Sequence, residues 1–126
     1  SRETVEQRLH YVKQEGQTVF KYAVRKMEEA ALAAIAKAGL RPEDIKVLIP
    51  HQANMRIIQA TAERLGLGPE RVIINIDRFG NTTAGTIPLA TRDAVEQGKL
   101  KRGDFVLFVT VGAGFTVGAN VWRWTI

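Results

Sequence analysis

The sequence contains no cysteine, which excludes disulfide staples, thiolate metal sites and a cysteine nucleophile within this chain. No stretch approaches the roughly 18 consecutive apolar residues that a spanning helix needs, so no membrane segment is expected. The opening, Ser1 to His10, is polar and unlike a secretion signal, and a cytoplasmic protein is expected. There are two histidines, His10 and His51; with no His-x-x-x-His pair, no metal site is expected. No aromatic residues interleave with the basic ones, so the stacking platform of a single-strand nucleic-acid binder is missing and no nucleic-acid partner is expected. What remains is ordinary: 126 residues, 45% hydrophobic and 25% charged, the make-up of one soluble globular domain. Eighteen basic against 13 acidic residues give +5. That excess suits an acidic protein, an anionic cofactor, nucleic acid or simply a soluble surface.

Behind a charged lead-in over residues 1–17, Phe20, Val24, Met27, Ala31, Ile35 and Ala38 recur at spacings of three and four, predicting an amphipathic helix from about Thr18 to Ala38 that Gly39 ends. Val47-Leu48-Ile49 is an apolar triplet of the kind found in strands buried on both faces, closed by Pro50. A second helix is expected from about Asn54 to Leu65, ended by Gly66. Val72-Ile73-Ile74 reads as another buried strand, Asp77 to Asn81 as a polar loop, and Ala84 to Gln97 as a third helix ended by Gly98. Pro88 lies about one turn inside that helix, so a kink or a late start is expected. Phe105 to Val111 and Phe115 to Trp124 read as two strands joined by Gly112-Ala113-Gly114 in an antiparallel hairpin. Alternating helices and strands predict an α/β fold with a mostly parallel sheet covered by helices on both faces.

In such sheets ligands collect beyond the carboxyl ends of the strands. His51-Gln52-Ala53-Asn54, Phe79-Gly80-Asn81-Thr82 and Gly112-Ala113-Gly114 all follow strands. His51 and Asn81 would then project from one sheet edge although thirty positions apart. A neutral imidazole N–H and a carboxamide NH2 can converge on one developing oxyanion, and the amides of a glycine turn can serve another. Neither residue is a strong base. The alternative is structural: His51 capping the following helix and Asn81 a turn residue after glycine. Among the basic residues Arg56 stands out, one turn from this site, with Arg64 on roughly the same helix face.

The string Ile49-Pro50-His51-Gln52-Ala53-Asn54-Met55-Arg56-Ile57-Ile58, then Asp77-Arg78-Phe79-Gly80-Asn81-Thr82-Thr83-Ala84-Gly85-Thr86-Ile87-Pro88, then Gly112-Ala113-Gly114-Phe115-Thr116, resembles the C-terminal half of the β-ketoacyl-acyl carrier protein synthase III family of thiolase-fold condensing enzymes. The resemblance runs from about Gly16 to Trp124, and Val19 to Val24 resembles the start of that half's long helix. It implies residues 18–126 as a C-terminal thiolase-like domain, with the N-terminal half and its nucleophilic cysteine absent, in an enzyme that is a homodimer when intact. It also implies a sheet whose central strand precedes this chain.

By the same resemblance, His51 and Asn81 donate hydrogen bonds to the malonyl thioester oxygen as CO2 is lost, and the backbone amide of Ala113, where many members have glycine, joins an oxyanion hole for acyl transfer. Carrier-protein docking falls on Arg56, Lys21 and Arg64, with Glu63 acidic where the family surface is basic. Asn54 and Gly16 fall near the substrate and coenzyme A tunnel. The implied activity is the decarboxylative Claisen condensation that initiates fatty-acid synthesis, between acyl-CoA and malonyl-acyl carrier protein, with no cofactor beyond those substrates and with this chain inactive alone. The alternatives are a sibling condensing enzyme using CoA-linked extenders and a non-catalytic carrier-protein-binding module.

Overall fold

The computed structural model describes residues 16–126. Most of the lead-in, and His10, lie outside them. Helix α1 runs Gly16–Lys37, two residues earlier than the periodicity predicts, and buries Ala23, Val24, Met27, Ala31 and Ile35. Ala38, the last member of the expected stripe, lies past the helix end and is exposed. There Gly39 takes φ 72°, its N–H bonding Ala36 O at 3.0 Å while Leu40 N–H bonds Ile35 O at 3.1 Å. This left-handed closure satisfies two orphan carbonyls and suits a residue without Cβ.

Strand β1, Ile45–Pro50, is buried except at Lys46, which falls where the register against the next strand slips. The bulge turns that one charge to solvent. Helix α2, Met55–Arg64, is capped by Asn54, whose Oδ1 accepts from Arg56 N at 2.8 Å and Ile57 N at 3.4 Å. The helix cap expected as an alternative role for His51 therefore belongs to Asn54. Asparagine is among the best N-caps, so Asn54→Ala is expected to lower the unfolding free energy by about 1 kcal/mol in urea titration. An unchanged midpoint would refute the assignment.

The expected strand at Val72-Ile73-Ile74 is a single parallel bridge, Leu48 to Val72, with Ile73 N–H on Leu48 O at 3.0 Å. Past that point the segment's backbone groups are taken by the side chain of Gln52, and no ladder continues. The expected polar loop at Asp77 to Asn81 instead begins as a helical turn, α3, Ile76–Phe79. Helix α4 starts late, at Thr86, and runs to Glu96. This puts Pro88 in its first turn, where the missing N–H would have had no intrahelical partner.

Strands β2, Phe105–Gly112, and β3, Thr116–Arg123, form the expected hairpin. The sheet order is β1-β2-β3: β1 pairs parallel with β2, Leu48 opposite Leu107, and β2 antiparallel with β3, so the sheet is mixed. The expectation of a missing central strand is therefore incorrect. β1 and β2 hydrogen-bond directly, and no gap separates them.

The sheet carries a core on each face. On one, Met27 and Ile35 of α1, Ile58 of α2 and Leu65 just past its end pack against Leu48, Leu107 and Val109. On the other, Ala90 and Ala94 of α4 pack on Val47, Ile49, Ile73 and Val106. Strands buried on both sides explain the apolar triplet. Among the described residues no helix is long and apolar enough to cross a membrane.

Candidate functional site

The carboxyl end of β1 delivers His51. Its backbone N–H donates to Val109 O at 2.8 Å, extending the parallel ladder one rung past Pro50 and fixing where the imidazole departs. The ring is half-buried, and its Nδ1 is fully buried with no hydrogen-bond partner among the described residues. Desolvation lowers the His51 pKa below 6.5, since burial disfavours the charged form. The ring is neutral at physiological pH, in keeping with a donor of one N–H and not with a cation.

Asn81 follows Gly80 at the end of α3 and is exposed. Its Oδ1 accepts from Thr83 N at 3.1 Å, an Asx turn that spends the oxygen locally. The carboxamide's donors are left for another group. Thr83 has φ 51°, a left-handed conformation that is unfavourable for a β-branched residue by about 1–3 kcal/mol. The strain lies two residues from the side chain that the sequence marks for chemistry.

Asn81 lines a cavity of about 730 Å³ together with Asn54, Arg56, Lys21, Phe20 and Gln17. The structure thus gathers four of the expected site residues, from α1, the cap and first turn of α2 and the α3–α4 loop, around one concavity. Lys21 and Arg56 give it two cations, suited to a phosphate or carboxylate. Gly16 is the residue before Gln17, at the first position of α1. His51 and Ala113 are not among the lining residues. His51 precedes the lining segment Ala53-Asn54 by two positions, with its ring partly beneath the surface.

Ala113 sits exposed in the β2–β3 turn. The turn is tied to α1 where Phe115 meets Tyr22, ring centroids 4.6 Å apart. Arg64 falls on a neighbouring groove with Lys21, Tyr22 and Arg25. Its Nη1 is paired with Glu28 Oε2 at 2.9 Å, so its charge is partly committed within the chain while that of Arg56 faces the cavity.

Gln52 is the residue that sequence reasoning passed over. It is wholly buried, with Nε2 donating to Pro50 O and Ile73 O, both at 3.0 Å. Its Oε1 accepts from Asn75 N at 2.9 Å and Ile76 N at 3.2 Å. Nearby, buried Asp93 accepts from Asn75 Nδ2 at 2.9 Å and Arg78 Nη2 at 2.6 Å. A polar residue next to His51 in an otherwise apolar strand end was the available signal.

This geometry has close relatives. The family described as 3-oxoacyl-[acyl-carrier-protein (ACP)] synthase III C terminal matches residues 35–124. The β-ketoacyl-[acyl-carrier-protein] synthase III of Solibacter usitatus is 62% identical over 124 residues, 98% of this chain and 38% of the relative. That of Clostridioides difficile is 51% identical over 126 residues, 100% of this chain and 38% of the relative. Among solved structures, the enzyme of the same name from Thermus thermophilus superposes with a TM-score of 0.85 at 55% identity, over 89% of this chain and 35% of that one. The 3-oxoacyl-[acyl-carrier-protein] synthase III of Aquifex aeolicus gives a TM-score of 0.87 at 46% identity, over 90% of this chain and 37% of that one. The chain spans less than two-fifths of the length of these relatives. Because that family's match covers residues 35–124, well over half of the chain, the chain belongs to the 3-oxoacyl-[acyl-carrier-protein] synthase III C-terminal family.

Proposed function

We propose that this chain is the carboxyl-terminal part of a thiolase-fold condensing enzyme that joins an acyl group from acyl-CoA to malonyl-acyl carrier protein. The observation that carries the reading is the single cavity on which Asn54, Arg56, Lys21 and Asn81 meet beyond the carboxyl end of β1. As the malonyl C–C bond breaks and CO2 leaves, its electron pair passes onto the α-carbon and the thioester oxygen. His51, kept neutral by burial, and the Asn81 NH2 donate hydrogen bonds to that oxygen, and no proton is transferred to either. The carbanion attacks the acyl group held as a thioester on a cysteine of the amino-terminal part. The tetrahedral oxyanion takes a hydrogen bond from the Ala113 amide, then collapses to expel the cysteine sulfur as thiolate. Donors placed where charge develops are the largest single source of rate enhancement in such sites.

Arg56 and Lys21 receive the acidic carrier protein, with Arg64 contributing less because Glu28 holds it. Asn54 and the chain at Gly16 flank the pantetheine arm. No cofactor is needed beyond the two substrates, and the intact enzyme is a cytoplasmic homodimer.

The test is condensation by the full-length protein with malonyl groups on carrier protein or on coenzyme A. Turnover with the carrier-linked substrate alone is expected. Arg56→Glu should raise the KM for malonyl-carrier protein roughly tenfold, in the range of a lost charge-assisted contact. Equal use of the CoA-linked extender would favour the sibling enzyme.

A further inference from the structure

We infer that Gln52 is a positioning residue that fixes Asn81 relative to His51, acting with Asn75 and Asp93; the inference rests on the condensing-enzyme reading above. The two hydrogen-bond donors of the site leave the sheet differently. His51 is held by the ladder itself, through Val109 O. Asn81 has no strand beneath it, because the segment leading to it makes one bridge to β1 and then departs.

The carboxamide of Gln52 takes over where that ladder stops. A carboxamide offers two N–H donors and an oxygen with two lone pairs, and here all four places are filled by backbone groups: Pro50 O and Ile73 O on Nε2, Asn75 N and Ile76 N on Oε1. The side-chain amide stands in for the peptide group that the next rung would have supplied. Meanwhile the backbone N–H of Gln52 donates to Thr86 Oγ1 at 2.7 Å.

One residue therefore grips both ends of the segment 77–85 that carries Asn81. Its side chain holds the entry at Asn75 and Ile76, and its main chain holds the exit at Thr86. Asp93 completes the base of the loop by accepting from Asn75 and Arg78, which ties α3 to α4. The strained Thr83 lies inside this clamp, as expected of a conformation held by over-determined surroundings. Gln52 has no polar atom left to meet a substrate, so it acts through Asn81 and is not itself catalytic.

The experiment uses the full-length protein with Gln52→Glu, which keeps the shape and the acceptors but faces two carbonyl oxygens with an oxygen in place of a donor. Decarboxylation of malonyl-carrier protein and acylation of the cysteine are measured separately, with urea unfolding as the check on folding. Decarboxylation should fall about 100-fold, the cost of displacing a catalytic group by roughly 1 Å, while acylation changes less than about threefold. A parallel fall in both half-reactions, or no fall in either, overturns the proposal. If Gln52→Glu does not fold, Thr86→Val removes a single acceptor, and a selective loss of about tenfold in decarboxylation is expected of it; the same two outcomes count against the proposal. Asn81→Ala is the control. If it leaves decarboxylation intact, the condensing-enzyme reading fails; if it abolishes decarboxylation while Gln52→Glu acts unselectively, only the positioning role fails.

Discussion

Asn81→Ala in the full-length protein is expected to slow malonyl decarboxylation by about 10²–10³-fold, the usual cost of deleting one oxyanion donor, while leaving cysteine acylation near its normal rate. His51→Ala should do the same. Removing both should cost less than the product of the two, because they serve one oxygen and act as a unit.

The pH profile reports the protonation state of the His51 ring. The His51 pKa is lowered by burial, so any loss of decarboxylation rate on protonating this ring should set in at a lower pH than an ordinary imidazole would give. A base with an ordinary pKa would lose activity as the pH falls through about 6.5. Stability follows the same linkage. Above 6.5 the imidazole is neutral in both the folded and unfolded chain and contributes no slope. Below 6.5 the unfolded chain binds the proton first, so the contribution from His51 is lost as the pH falls toward its folded value. A rate that depends on His51 and halves at pH 6.5 or above would contradict a ring whose pKa burial lowers.

The second large effect concerns the sheet. Leu107 lies on the middle strand, opposite Leu48 on one side and Val121 on the other, and is fully buried against the α1–α2 layer. Leu107→Ala is expected to lower the unfolding free energy by about 2–5 kcal/mol, the transfer term plus the cavity. Against a typical total of about 5–15 kcal/mol, that should move the urea midpoint far with an unchanged slope. A change below about 1 kcal/mol would mean that the site collapses without leaving a cavity.

Much of this arrangement can be read from local chemistry. The apolar triplet at Val47 to Ile49, the glycine stop at Gly39 and the Gly112-Ala113-Gly114 hairpin each state their conformation within a few residues. Pro88 announces the late start of α4 for the same reason. Val72 to Ile74 misleads because three β-branched residues satisfy a strand pattern locally, whereas the ladder is decided by a competitor elsewhere in the chain, the Gln52 amide. The direct pairing of β1 with β2 is likewise a long-range fact that no window of sequence contains. In the site, His51, Asn81 and Arg56 are visible because they follow strand ends or sit beside one. Gln52 is invisible as chemistry because glutamine is normally a surface residue, and only the burial of its neighbours makes it a structural amide. The cap at Asn54 is legible in the sequence, since asparagine is among the residues best suited to capping a helix.

The pairing of β1 with β2 also has a meaning in time. Ile45 meets Phe105, and His51 meets Val109, each some sixty positions further along the chain. Closing so long a loop must precede any reward from the contacts that it brings together. On a ribosome, His51 has no rung to rest on until Val109 of β2 has been made. The histidine is therefore aimed only after β2 exists, and a synthesis cut short before Val109 leaves it without that anchor.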